Sequence, residues 1–368
     1  MLTYLLIAFY TIVAIQCIYY LLFLTPILFN KKRDNILSPP ISVIICAKNE
    51  AENLEAFLPN IISQKYENEY EVVVINDRSK DRTAEVLEEF SKKHTQIKIV
   101  TVENSEHFWG NKKYALTLGI KAAKHEHLLF TDADCTPKNT SWISGMSSCF
   151  DEKKSIVLGY GGYRKVRGSF LNKLIRYETV LTAIQYFSYA KIGVPYMGVG
   201  RNLAYTKTDF FRVNGFIKHI QVKSGDDDLF INEVATSQNT SINIEEGSFT
   251  ESIPKNTFKE WIQQKRRHVS TAKYYKTKHK VLLSIFYASQ ILFFLLGFTL
   301  LLTFNQKELI LLMILIRYSV VFTTVGLFSN KLKEKDLILI LPFTEIILIL
   351  LQLYIYLKNK SATPVQWH

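Results

Sequence analysis

The stretch Ile41 to Leu54 reads ISVIICAKNEAENL; its first seven residues are apolar or small, and a polar, helix-spaced segment follows at once. An apolar run of this length, bounded by a polar turn, predicts a strand buried on both faces. Outward from it the alternation repeats. Glu50 to Ile62 has helical spacing, Glu71 to Ile75 reads as a second strand ending at Asn76-Asp77, and a helix follows from about Thr83 to Lys92. Ile97 to Val102 is a third strand, Lys112 to Ala123 a helix, and His127 to Thr131 a fourth strand ending at Asp132. Strands alternating with helices predict an α/β fold with a mostly parallel sheet, helices on both faces, and ligands beyond the carboxyl ends of the strands. The polar clusters fall at those ends.

On either side of this region the chain turns apolar. Leu2 to Phe29 carries no charge and is followed by Lys31-Lys32-Arg33, the reverse of the charge order in a cleaved signal peptide. Val281 to Phe304 is uncharged, Leu309 to Phe328 is broken only by Arg317, and Leu337 to Leu357 only by Glu345. About 20 residues suffice to cross a bilayer, so about four transmembrane α-helices are expected. The mean hydropathy of +0.05 therefore averages two unlike parts. Among the 368 residues, 24 Phe and 20 Tyr argue against disorder, and four cysteines without CxxC or Cys/His spacing argue against a disulfide framework or a zinc site.

The net charge of +12 is concentrated. Lys255 to Lys280 holds nine Lys or Arg against one acid, Glu260, immediately before an apolar segment, which is the place of a juxtamembrane region facing anionic headgroups rather than of a nucleic-acid module. The positive-inside rule puts Lys31-Lys32-Arg33, Lys255 to Lys280 and Lys331, Lys333 and Lys335 on one side, with the segment from Lys31 to Lys280 cytoplasmic and the protein multi-pass in the inner or plasma membrane. Lys358 and Lys360 then fall outside, against the rule. Arg317 and Glu345 lie at similar depth, so an intramembrane ion pair is expected; the alternative is that Arg317 faces a lipid phosphate or a growing product. The expected division is an N-terminal transmembrane helix over 1–30, a cytoplasmic α/β domain over 31–254, a basic interfacial helix over 255–280, three transmembrane helices over 281–357 and a tail over 358–368.

The motifs give the chemistry. Neither GxGxxG nor GxxxxGK[ST] occurs, so pyrophosphate needs a partner other than a glycine cradle, and a divalent metal held by carboxylates is the natural substitute. Asp132-Ala133-Asp134 closes an apolar strand and can hold Mg²⁺ or Mn²⁺ against the phosphates of a diphosphate ligand; a solvated turn is the plain alternative. Gly225-Asp226-Asp227-Asp228 precedes a helical pattern, Leu229 to Ala235, where acids are also favoured by the helix dipole. Asn49 and Ser79 sit where helix caps are common.

Ile41 to Leu54, Val72 to Thr83 (VVVINDRSKDRT), Thr131-Asp132-Ala133-Asp134, Gly225 to Leu229 and Gln264-Lys265-Arg266-Arg267-His268 stand in the order and spacing of the family 2 glycosyltransferases. Over roughly Ile41 to His268 the chain resembles their membrane-embedded members, which include polysaccharide synthases and ceramide glucosyltransferase. The resemblance implies a GT-A fold and a metal-dependent transfer with inversion. It implies that Ala47, Asn49, Glu50, Asp77, Ser79, Lys112 and Asp132 bind the nucleotide, with Asp77 reading the base. Asp134, with Asp132, would ligate the metal, and Asp226 would be the general base. Gln264 and Arg267 would hold the diphosphate, and His268 stands where the family has a Trp lining the acceptor site. The expected partners are a nucleotide-sugar donor, of the uridine type in the family's pattern, a lipid or glycan acceptor and the bilayer, with no nucleic acid.

Overall fold

The computed structural model describes residues 2–29, 38–103 and 112–361. The expected basic cluster Lys31-Lys32-Arg33, Asn111 and the end of the tail lie outside the described residues. At the centre stands β1 (Ile41–Ala47), every residue of which is buried. Its side chains alternate between two cores. Ile41, Val43 and Ile45 enter one core with Val72, Val74 and Leu129, while Ile44 and Cys46 enter the other with Val73, Ile75 and Leu128. That two-sided burial is why the strand reads as a continuous apolar run. Parallel pairing joins β1 to β2 (Tyr70–Asn76), with Ala47 opposite Asn76, and to β4 (His127–Asp132), with Cys46 opposite Asp132. β3 (Ile97–Thr101) extends the sheet beyond β2.

Helices Ala51–Ile62, Thr83–Lys93 and Lys112–Ala122 connect these strands. After β4 come β5 (Cys135–Pro137), β6 (Ile156–Leu158), β7 (Gly161–Tyr163), β8 (Leu203–Thr206), β9 (Thr240–Ile242) and β10 (Thr250–Ser252). The large sheet runs β3-β2-β1-β4-β8-β6-β9, with β8 antiparallel to its neighbours, and a small sheet runs β5-β10-β7. The chain reverses its direction of travel between β1 and β4, which opens the ligand crevice at their carboxyl ends.

Among the described residues, four helices are long and apolar enough to cross a membrane: Leu2–Leu28, Thr277–Thr303, Lys307–Lys331 and Lys335–Ser361. The basic stretch expected as one interfacial helix is instead a helix, Phe258–Val269, a turn through Ala272–Tyr274, and the first residues of the helix Thr277–Thr303. The fourth apolar segment opens as a 3-10 turn, Lys335–Ile340, before the helix Leu341–Ser361. A long helix, Phe170–Lys191, joins the two parts of the molecule: Ser188 Oγ donates to the Phe23 carbonyl at 2.9 Å, and Arg176 is paired with Glu334 and Asp336 between the last two apolar segments. Inside the bundle the Arg317 guanidinium is fully buried. It donates to Glu345 and to Gln16 Oε1 (3.0 Å), and Gln16 in turn donates to Ser289. Phe293 and Tyr318 lie against its faces at 4.5 and 5.0 Å.

Candidate active site

The ends of β1 and β2 are braced against one another before any ligand is considered. Asp77 N–H donates to the Ala47 carbonyl at 2.8 Å. Asn49 has φ +57°, a left-handed conformation that Asn tolerates better than most residues; its N–H donates to Ser79 Oγ (3.0 Å), and its Oδ1 accepts from Lys80 N–H (2.8 Å). Glu50 N–H donates to Thr83 Oγ1, and Asp81 accepts from Ala51 N–H and Thr83 N–H, which keeps its carboxyl below the ordinary range despite some burial. Asn49 and Ser79 thus stitch two loops together. The Glu50 carboxyl accepts from Asn53 and is raised by burial, with the Asp134 and Asp132 charges adding to it. Asp77 is 1% exposed, and its carboxylate is held by Arg78 through Nε (2.9 Å) and Nη2 (2.7 Å).

Lys112, the first residue of its helix, brings two distant motifs together. Its Nζ donates to Asp132 Oδ1 at 2.7 Å and lies 3.2 Å from Asp226 Oδ2. The three line one cleft of about 320 Å³ with Thr131, Gly200, Tyr205 and Asp227. Burial works against both members of the first pair, yet the opposite charges win: Lys112 is held well above its ordinary value by Asp132 and Asp226, and Asp132 below its own by Lys112. Asp134 is raised by burial and then by the Asp132 charge.

Those carboxylates fit a divalent cation. Ligand atoms of Asp132, Asp134 and Cys135 lie within 4.8 Å of one another. Burial, followed by the Asp134 and Asp132 charges, pushes the Cys135 thiol well up, so it stays protonated and bonded to Asp134 (3.3 Å), with Ser252 2.8 Å away. The donors left for a metal are hard carboxylate oxygens, the set Mg²⁺ or Mn²⁺ prefers, and a cation there offsets the charge that burial makes costly.

The three acids after Gly225 have separate tasks. Gly225 takes φ +90°, where a side chain is strained, and the turn it allows aims Asp226 into the cleft. Asp227 caps the helix Asp228–Val234, accepting from Gly200 N–H and Asp228 N–H, both at 2.7 Å, and burial raises its carboxyl. Asp228 faces the membrane side, accepting from Thr271 Oγ1 (2.5 Å) and Tyr275 OH (2.6 Å). Lys113, next to Lys112, points the other way; it donates to the His219 and Val222 carbonyls at 2.7 and 2.9 Å and pins the loop that leads to Asp226.

On the helix Phe258–Val269, Gln264 leaves its Oε1 buried without a hydrogen-bond partner, and Lys265 pairs with Glu178. Burial lowers Arg267, which feels the charges of Asp226, Asp132 and Asp227. His268 is exposed near the end of this helix, beside Arg267. Arg201 and Tyr275 were not among the expected site residues. Arg201 donates to the Gly162 carbonyl and Ser252, lies 4.2 Å over the Tyr163 ring, and draws down Asp132 and Asp134; a basic residue between Gly200 and Asn202 was its only mark in the sequence.

Residues 42–209 match the family model described as glycosyl transferase family 2. The chain is 37% identical over 111 residues to the 4,4'-diaponeurosporenoate glycosyltransferase of Staphylococcus haemolyticus, a match covering 30% of this chain and 28% of that protein. It is 38% identical over 94 residues to a poly-beta-1,6-N-acetyl-D-glucosamine synthase of Staphylococcus epidermidis, covering 26% and 21% respectively. The matched part is therefore less than a third of either relative. Among solved structures, a mannosyltransferase of Pyrobaculum calidifontis in complex with GDP-Man and Mn²⁺ superposes with a TM-score of 0.58 at 18% identity, covering 95% of this chain and 99% of that one, which is a likeness of fold. The parallel sheet with its switch point, the strand-end carboxylates and the matched segment agree: residues 42–209 form a domain like those of the family 2 glycosyltransferases, with a GT-A-like fold, set on a bundle of apolar helices.

Proposed function

We propose that the protein transfers one sugar, with inversion, from a uridine-type nucleotide donor to a lipid or lipid-linked acceptor at the membrane surface, its catalytic domain in the cytoplasm. The observation that carries this reading is Lys112, whose single ammonium joins the strand-end carboxylate Asp132 to Asp226 across one cleft. A donor diphosphate beside Asp132 and Asp134 then has Asp226 across the cleft from it. Bound there, Mg²⁺ or Mn²⁺ would neutralise charge on the departing diphosphate.

This chain's own residues do the rest. Asp226 accepts the proton of the acceptor hydroxyl as that oxygen bonds to the anomeric carbon and the bond to the diphosphate breaks on the opposite face. Lys112 and Arg267 meet the charge that develops on the leaving group, and Gln264 is the further candidate to bind it. Ala47, Asn49, Glu50, Asp77 and Ser79 frame the nucleoside, with the buried Asp77 carboxylate suited to the ring N–H of uracil.

A lipid acceptor is favoured over an exported polymer because the bundle interior is closed by Arg317, Glu345, Gln16 and Ser289, and because His268 offers no aromatic platform of Trp size for a growing sugar chain. One relative is named for 4,4'-diaponeurosporenoate and another for a polysaccharide, so both outcomes stand in the test. Membranes containing the protein are supplied with radiolabelled nucleotide sugars and the product is partitioned. Label extracted into organic solvent as a discrete glycolipid is expected; label retained as high-molecular-weight material favours the polymer reading, and no transfer from any donor removes both.

A further inference from the structure

The last apolar segment is held to the catalytic domain at both of its ends. At its start, Lys331 and Lys333 pair with Glu245 and Glu246 at 2.9 and 2.8 Å, and Asp336 is bound by Arg176 Nη1 (2.9 Å) and Lys165 (2.9 Å). At its far end, Arg266 Nε donates to Asn359 Oδ1 and Asn359 Nδ2 donates back to the Arg266 carbonyl, each at 3.0 Å. Arg266 belongs to the helix Phe258–Val269, beside Arg267 and His268 of the candidate site. A helix the length of Leu341–Ser361 rises about 30 Å, roughly the thickness of the hydrocarbon core, so had it crossed, Asn359 would lie about that far from Arg266. Its middle agrees with its ends. Glu345 reaches Arg317 inside the bundle, and the Ile349 carbonyl accepts from Tyr287 OH (2.9 Å). Ile347 and Leu351 already pack against Trp261, Leu171 and Ile175 of the catalytic domain.

We infer that this segment is re-entrant. It dips as far as Arg317 and returns to the leaflet that bears the catalytic domain, with the lipid of that leaflet as the partner of its outer face. Phe343, Ile346, Leu350 and Leu357 are exposed on that face and suit acyl chains. Toward the exit, Lys358 donates to Tyr354 OH at 2.8 Å and the Lys360 ammonium lies 4.8 Å over the Tyr356 ring, an aromatic and basic ending suited to anionic headgroups. Lys358 and Lys360, expected outside on a four-span count, then join the other basic segments on one side, and the positive-inside rule holds without exception among them. Three helices cross the bilayer, and the fourth ties the helix carrying Arg267 to it.

The test uses the full chain in sealed membrane vesicles of both orientations. Single cysteines are introduced as Lys259→Cys, Asn305→Cys and Lys360→Cys and treated with a membrane-impermeant maleimide, with the unsubstituted chain reporting on its four native thiols. Lys360→Cys is expected to label in the orientation that labels Lys259→Cys and to lose labelling in the orientation that labels Asn305→Cys. Any other pattern, whether tracking Asn305→Cys, labelling in both orientations or in neither, overturns the inference.

Discussion

Lys112 and Lys113 are neighbours in sequence with opposite duties. Replacing Lys112 by Met removes the cation between Asp132 and Asp226, and turnover is expected to fall by about 10²–10³-fold, the usual cost of losing a group that meets developing charge, while the unfolding temperature changes little. Lys113 is a stability residue: burial pushes its ammonium down to about 8 from an ordinary 10.5. Between those values the unfolded chain binds more protons than the folded one, so stability should rise as pH climbs through that window, and the penalty of the buried charge applies fully below it. Melting curves from pH 7.5 to 10.5 should show that rise in the wild type and a flatter profile in Lys113→Met. Asp132, Asp134 and Asp226 were legible in the sequence because acids at the end of a strand or the start of a helix stand out locally. Arg201 and Tyr275 were not, because what gives them meaning is a partner far along the chain: Gly162 and Ser252 for the one, Asp228 for the other.

Among the elements, the parallel strands were readable almost to the residue, since burial on both faces leaves an apolar run whose length of six or seven residues and β-branched content set it apart from a buried helix. The interfacial region was harder. Its basic composition is continuous from Lys255 to Lys280, but Thr271 and Tyr275 turn the chain to meet Asp228, and the single expected helix becomes two. That contact ties the helix Asp228–Val234 to the turn that precedes the helix Thr277–Thr303. Tyr275→Phe leaves Asp228 with one hydroxyl donor fewer and should cost about 1–3 kcal/mol of stability, with turnover reduced and donor binding less affected; melting curves and a split of kcat from KM check it. Asn359→Ala releases the helix Phe258–Val269 from the last apolar segment and is expected to raise the KM for the donor through Arg267 more than it lowers kcat.

At the scale of the whole molecule, the polar layer of Gln16, Ser289, Arg317 and Glu345 holds the apolar helices together at a depth where an unpaired charge is costly. Arg317→Leu alone strands the Glu345 carboxylate and should destabilise by about 3–5 kcal/mol, whereas Arg317→Leu with Glu345→Leu should recover much of that; detergent-resistance of the folded protein compares the two. The number of apolar segments was plain from hydropathy, but the course of the last one was not, because length and composition are the same for a crossing helix and a re-entrant one, and what separates them are contacts far along the chain, the Arg266–Asn359 pairing foremost. Lys112, Asp132 and Asp226 line one cleft, and the central claim is that Asp226 is the base. The direct measurement is single-turnover transfer from a labelled nucleotide sugar by the purified full-length protein, wild type against Asp226→Asn, with donor affinity measured on the same samples. Loss of turnover by about 10²–10⁴-fold with donor affinity retained is the expected result; turnover in Asp226→Asn equal to that of the wild type would contradict it.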